Sequence, residues 1–372
     1  MKVATTTLLL CVAGLLALGM VMLYSSSMAD KGTHLLLLQI IWAATGLVGL
    51  LCAGSMDYRL LRKFAWVIYG AAFILLVLVL IPHIGTRING ARRWFSFGHI
   101  SFQPSELGKI ALIVMVAWYG DRYQRQMTCW KRGVVYPSIF IGLMLCLIFK
   151  EPDRGTTILM AAVTGMMLLV AGVQWKFIAI PTISGMGLLA LSLCFDPMRI
   201  RRIFAWLYLD EHKLDIGYQA YQARLAFGAG GWWGLGLGNS REKLGFLPEH
   251  NTDFILPIVG EELGLVATLL VVTAFLLVVI CGAYISFRAS DTFGMLLGSG
   301  ITFLIALQTF INIGVVTSVL PNKGLALPFI SYGGSNLLMM LTCVGLLVSI
   351  ARRARVTETA SALSLDAAPQ MS

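Results

Sequence analysis

Ten apolar runs, most of them near the length that crosses hydrocarbon, constrain this chain more than any other feature. They lie near 5–24, 35–54, 64–81, 104–119, 134–149, 157–174, 177–195, 255–285, 293–318 and 336–351. A bilayer-spanning helix needs roughly 20 predominantly apolar residues, and hydrocarbon offers no partner to a free backbone amide, so each run is expected as a helix. Apolar residues make up 58% of the 372, and Asp, Glu, Lys and Arg only 12%. That is about half the charge of a soluble domain, which excludes a water-soluble fold and equally a disordered or collagen-like chain. Six of the seven Cys fall in apolar runs and Cys129 in a basic loop, so they read as packing residues, not as a disulfide or metal framework. The expected fold is therefore all-α: a polytopic integral membrane protein of about ten transmembrane helices, without internal repeats.

An even number of spans puts both termini on one side. The first run follows a single Lys2 and lacks a small-residue cleavage site, and it reads as a retained span. Cations are nearly balanced across the membrane, but tight basic clusters at 59–63, 122–132 and 352–355 abut span ends, which favours cytoplasmic termini. Arg87, Arg92, Arg93, Arg154 and Lys323 then lie outside, against the topology signal, and point to a membrane-bound anion or to anionic headgroups. The long outer loop, about 196–254, opens with Arg199, Arg201 and Arg202 among Ile200, Ile203, Phe204, Trp206 and Leu207, the pattern of a helix lying in the interface. The domain expected is 1–355, followed by a cytoplasmic, disordered tail at 356–372.

Four polar clusters interrupt the apolar sequence at the outer span ends. The first carries Arg92, Arg93 and Trp94, followed by Gln103, Pro104, Ser105, Glu106 and Lys109. Guanidinium forks match phosphate oxygens, and an indole face packs on a sugar or an isoprenoid. Glu106 and Lys109 stand three apart on one helical face, where they either pair with each other or face a cavity. The second, Glu151-Pro152-Asp153-Arg154-Gly155, reads as a turn or as a site. In the third, Asp253 sits at the mouth of a span, where it is a helix N-cap or a general base with a raised pKa, and Glu261 and Glu262 follow at buried depth. The fourth runs from Leu320 through Lys323 to Ser331, Gly333, Gly334 and Ser335; its Gly-Gly pair permits close approach of a ligand.

Taken in order, GARRWF, FQPSELGK, EPDRGTT, GLGNSREKLGFLPE, TDFI with GEELG, and PNKGLALPFISYGGS resemble the SEDS family (shape, elongation, division, sporulation) over nearly the whole chain. GARRW, GNSREK and LPNKGLALPFISYGGS look closer to its division branch than to its elongation branch. The resemblance implies a ten-span peptidoglycan glycosyltransferase that polymerises lipid II at the outer face of the cytoplasmic membrane for septal wall synthesis in cell division, with no nucleic acid as partner. It implies Asp253 as the catalytic acid/base, and a class B penicillin-binding protein, among divisome or elongasome proteins, as partner. Substrate contacts are assigned to Arg92, Arg93, Trp94, Gln103, Ser105, Glu106, Lys109, Asp153, Glu261, Lys323, Ser331, Gly333, Gly334 and Ser335, with a divalent cation (Mg or Mn) as an optional assistant to the pyrophosphate. Two departures stand out: Asn251 occupies the position before Thr252-Asp253 where the family has His, and Asn336 replaces a Ser after Ser335. Composition alone favours a transporter, so a lipid II flippase and a non-catalytic scaffold for a transpeptidase are the rival readings.

The topology predicts that, in intact cells, an impermeant thiol reagent labels a cysteine placed at 251 and not one placed at 356. The reverse pattern inverts the whole arrangement.

Overall fold

The computed structural model describes residues 1–28, 32–88, 91–97, 100–194 and 197–366. In chain order the helices are α1 (Lys2–Ser27), α2 (His34–Ser55), α3 (Arg59–Leu80), α4 (Pro104–Arg122), α5 (Tyr136–Lys150), α6 (Arg154–Val170), α7 (Trp175–Cys194), α8 (Pro197–Leu207), α9 (Tyr218–Gly230), α10 (Ile255–Phe287), α11 (Thr292–Val316) and α12 (Gly334–Asp366). Ten of them fall on the ten expected spans; α8 and α9 belong to the long loop, and α8 covers the basic-aromatic segment expected to be helical. Among the described residues, seven helices are long and apolar enough to cross a membrane by length and composition: α1, α2, α3, α5 with the turn before it, α10, α11 and α12. Of the remaining three, α6 is shorter, with 17 residues, α4 carries Glu106, Lys109, Asp121 and Arg122, and α7 runs over 20 residues with Pro181 inside it. Helix α12 stays helical to Asp366, beyond the point where the sequence predicts an irregular tail.

Local chemistry explains the helix starts. Pro104 opens α4, where its missing N–H is no loss. Asp153 caps α6 by accepting from the Thr156 amide at 3.1 Å, and Asp291 caps α11 by accepting from the Gly294 amide at 2.7 Å. Helix α4 is buried almost throughout and packs against α3, α11 and α6, while α2 lies along α12 and α1 along α10. Between α3 and α4 the chain forms a small antiparallel sheet, β1 (Thr86–Ile88), β2 (Ala91–Phe97) and β3 (Ile100–Phe102), in the order β1-β2-β3. The all-α expectation did not include it, because β1 and β3 have three residues each and β2 reads as a basic-aromatic cluster rather than an alternating strand.

Ion pairs gather at one end of the bundle: Arg59–Asp291 at 2.7 Å, Arg62–Asp121 at 3.0 Å and Arg353–Asp57 at 2.6 Å. They tie together the basic clusters expected on one side. The sheet, the start of α6 and the segments before α10 and α12 lie at the opposite end.

Helix α10 is broken at Gly264, whose backbone (φ 79°, ψ −176°) is open only to glycine. The segment after α9 fills the break. Leu235 and Gly236 donate to the Glu261 and Glu262 carbonyls at 2.9 and 3.0 Å, and the Leu265 amide donates to Gly231 at 2.9 Å. A Cβ at Gly264 would stand 2.5 Å from the Trp232 carbonyl oxygen. Gly264→Ala is therefore expected to destabilise the fold by about 1–3 kcal/mol or more, read as a lowered midpoint of thermal unfolding in detergent.

Candidate active site

Strand β2 and the turn before α6 place the first cationic group. The pairing of β1 with β2 skips from Thr86–Trp94 to Arg87–Arg92, so Arg93 is the extra residue of a β-bulge, which bends the strand and re-aims its side chain. Arg93 donates through Nε to the Glu151 carbonyl and through Nη2 to the Pro152 carbonyl, both at 2.7 Å. Two of its five N–H groups are thereby used, and three remain for a ligand. Asp153 accepts from the Thr156 amide and hydroxyl and lies 3.5 Å from the Gln103 amide nitrogen, which also donates to the Ser105 hydroxyl at 2.9 Å. Its capping role is realised. Glu151 is fully buried and neither of its carboxyl oxygens has a hydrogen-bond partner among the described residues. Burial, and then the negative Asp153, push its pKa to about 9 against the opposing effect of Arg93, so it is a neutral acid at neutral pH.

Asp253 stands at the end of a tight turn, in which the Phe254 amide donates to the Glu249 carbonyl at 3.2 Å. The carboxylate itself makes no hydrogen bond among the described residues. It lines a cavity of 320 Å³ together with Arg202 and Trp206 from α8, Gln219 from α9, Glu249 and Asn322. Gly324 passes so close that a Cβ there would sit 2.6 Å from Asp253 Oδ2. Burial first, then the negative charges of Glu249 and Asp153, raise the Asp253 pKa to about 7, with Arg93 acting against them. Lys323, one residue before Gly324, has no hydrogen bond or ion pair among the described residues. Burial, with repulsion from Arg154 and Arg202, lowers its pKa, while Asp153 opposes the shift. Arg154 stacks over Phe149 at 5.1 Å and keeps one buried nitrogen unpaired.

Other expected contacts are turned toward the protein. Lys109 pairs with Glu106 at 2.7 Å, both buried, and also donates to Gln308 at 3.2 Å. Of the two readings open from sequence, the structure shows the mutual pair. Asn336, the departure after Ser335, donates to Glu106 at 3.1 Å. Glu261 accepts from the Ser240 hydroxyl and from the Arg241 amide, and Glu262 pairs with Lys243 at 2.8 Å, so both carboxylates hold the outer loop rather than lining the cavity. Ser331 donates to the Thr252 carbonyl at 2.6 Å; Ser335 accepts from the Gln103 amide at 3.0 Å; the Gly333 amide donates to Gln39 at 3.4 Å; and the Trp42 indole packs on Gly334. These residues fasten the segments around Asp253 to one another. Asn251 accepts from Ser26 and lies 3.2 Å from the His250 ring, so this departure also has a structural use.

A model of the family described as "Cell cycle protein", covering FtsW, RodA and SpoVE, matches residues 5–356. The chain belongs to this family. It is 41% identical over 349 residues to the probable peptidoglycan glycosyltransferase FtsW of Trichlorobacter lovleyi, covering 92% of each chain. It is 37% identical over 350 residues to the stage V sporulation protein E of Bacillus subtilis, covering 92% of this chain and 95% of that one. Among solved structures it resembles a chain of a peptidoglycan synthase complex that coordinates polymerization and crosslinking, with a TM-score of 0.77 at 26% identity over 93% of this chain and 97% of the other. It also resembles the rod shape determining protein RodA of Thermus thermophilus, with a TM-score of 0.67 at 25% identity over 93% and 95%. The chain is thus a multi-pass membrane protein of a wall-building family.

Sequence reasoning missed Arg202, Trp206, Gln219, Glu249 and Asn322 as cavity residues. A signal was available on α8: residues 202, 205, 206 and 209 have the spacing of one helical face, and all four line the cavity. Among the described residues no three Asp, Glu, His or Cys side chains converge as a metal cage.

The Glu106–Lys109 pair generates a direct test. Glu106→Ala leaves a buried ammonium uncompensated and is expected to cost about 3–5 kcal/mol of stability, whereas the Glu106→Gln, Lys109→Met double variant recovers most of it. Thermal unfolding in detergent reads both.

Proposed function

We propose that this chain is an inverting, lipid II-dependent peptidoglycan glycosyltransferase. Residues 1–355 form its membrane body, and it extends glycan strands at the outer face of the cytoplasmic membrane during septal wall synthesis. The observation that carries the reading is a carboxylate without hydrogen bonds, Asp253, lining a cavity near the cations Arg93, Arg154 and Lys323. The names of the relatives supply the substrate class. The acceptor is the C4 hydroxyl of an N-acetylglucosamine, and the donor is an N-acetylmuramic acid linked through C1 to undecaprenyl pyrophosphate.

In the proposed step Asp253 takes the hydroxyl proton as the oxygen attacks C1. The new C1–O bond forms on the face opposite the leaving group, and the bond from C1 to the pyrophosphate oxygen breaks with its electron pair staying on the pyrophosphate. One displacement converts an α-linked donor into a β-linked product, so no covalent enzyme intermediate is needed. Arg93, Arg154 and Lys323 stabilise the charge that builds on the leaving group, and they do so strongly because they are partly buried. Arg92 and Trp94, on either side of Arg93 in β2, are the proposed contacts for the more distant parts of the donor. A class B penicillin-binding protein is the proposed partner, by analogy with the synthase complex that couples polymerization to crosslinking.

Asp253→Asn keeps the shape of the side chain but cannot accept the proton. It is expected to lower glycan polymerisation in proteoliposomes by at least about 10²-fold while leaving membrane level and partner binding intact. A flippase would form no glycan even as wild type, and a scaffold would tolerate the change. Because the base must be ionised and its pKa is about 7, kcat/KM should fall by roughly tenfold per pH unit below that value and level off above it. A flat profile from pH 5 to 8 removes Asp253 from the role of base.

A further inference from the structure

Joining two lipid-linked glycans brings two pyrophosphates to the membrane surface. One leaves with the donor lipid. The other stays on the acceptor, two sugar rings from the hydroxyl that attacks. The cations Arg93, Arg154 and Lys323 are assigned above to the leaving pyrophosphate, and none of the three lines the cavity that contains Asp253.

A second set of cations stands on α8. The helix presents Arg202, Ala205 and Trp206, and the turn after it Leu209, to the cavity that contains Asp253. Phe204 and Leu207 of the helix and Tyr208 just beyond it are exposed, as expected of a helix resting in the interface. Arg201 and Arg202 are both exposed, and neither has a hydrogen bond or ion pair among the described residues. The Trp206 indole N–H donates to the Ser318 carbonyl at 2.9 Å, which holds α8 against the segment that leads to Lys323. Opposite it, the Asn322 amide donates to Gln219 at 2.9 Å, and Gln219 in turn donates to the Pro248 carbonyl at 3.0 Å. The cavity thus has an indole and two side-chain amides on its walls, suited to a sugar ring and its N-acetyl group, beside the guanidinium of Arg202.

We infer that α8 holds the acceptor: Arg202, assisted by Arg201, binds the pyrophosphate that the acceptor keeps, and the cavity between α8, α9 and residues 320–324 seats its terminal sugar with the C4 hydroxyl toward Asp253. This rests on the polymerase reading. It gives the two lipid carriers separate anchoring points, with Arg202 in the cavity of the base and Arg93, Arg154 and Lys323 outside its lining. A guanidinium fork suits the task because it meets two phosphate oxygens at once. A basic interfacial helix that binds bulk anionic headgroups shares the phosphate chemistry, and membrane composition separates the two sources.

The experiment uses the full chain in vesicles of phosphatidylcholine alone, with a donor whose terminal C4 hydroxyl is blocked so that donor and acceptor are varied independently. Arg202→Gln is expected to raise the acceptor KM about tenfold with little change in kcat or in the donor KM. Arg202→Lys should restore part of the loss. An unchanged acceptor KM, a shift in the donor KM instead, or an effect that appears only when anionic lipid is added overturns the proposal. If the wild type joins no chains, the polymerase reading fails by itself and binding still decides the site. Asp253→Asn protein is titrated with a labelled pyrophosphate-linked disaccharide lipid and with a phosphate-free analogue. Tenfold weaker binding of the first alone by Asp253→Asn, Arg202→Gln protein supports the pyrophosphate site, and equal binding overturns it.

Discussion

Hydrocarbon supplies no hydrogen-bond partner, so any break in a spanning helix must be repaired by other protein groups. The rest of the outer surface depends on one such repair. At Gly264 helix α10 gives up its regular bonding, and residues 231–236 enter the gap to bond with the backbone on either side. Glu261 and Glu262, on the turn before the break, take Ser240, the Arg241 amide and Lys243 as partners. Through these contacts the long loop is fixed to a span at both backbone and side-chain level, and α8 and α9 are held over Asp253 instead of drifting at the membrane surface.

A second polar chain runs through the bundle beneath the cavity. Asn336 reaches Glu106, Glu106 pairs with Lys109, and Lys109 bonds to Gln308, whose amide donates to the Ala326 carbonyl at 2.8 Å. One turn further along α11, Asn312 donates to the Asp253 carbonyl at 2.8 Å and to the Leu325 carbonyl at 2.7 Å. The backbone of the proposed base and the segment that carries Lys323 therefore share a single amide. Polar groups this deep are costly unless satisfied, and here the amide nitrogens of Gln308 and Asn312 are satisfied by the two segments that the chemistry needs together.

The ten spans were legible because an apolar run of this length has few other uses, and the order of the polar clusters carried the family resemblance. Contacts between distant segments were not legible in the same way. Glu106 and Lys109 looked equally suited to a ligand or to each other, and only the placement of Gln308 and Asn336 shows the pair closed within the bundle. Glu261 reads in sequence as a buried carboxylate in need of a partner, which it is, but the partner is Ser240 rather than a substrate. The sheet at 86–102 was invisible because its pairing is set by a local hairpin and not by alternation. The cavity was missed because its walls come from α8, α9 and the 320–324 segment, elements that meet only after the loop has folded back.

The outer end of α1 has a consequence for the order of assembly. Ser25 donates to Glu262, 237 residues downstream, and accepts from Lys243, while Ser26 donates to Asn251. Helix α1 is synthesised long before any of these partners, and domains fold from the N-terminal side as the chain emerges. Its hydroxyls must therefore wait in the lipid-water boundary until α10 enters the membrane beside it. The seam between α1 and α10 cannot close until α10 is made, and a nascent chain stalled before Glu262 would hold the outer end of its first span without these partners.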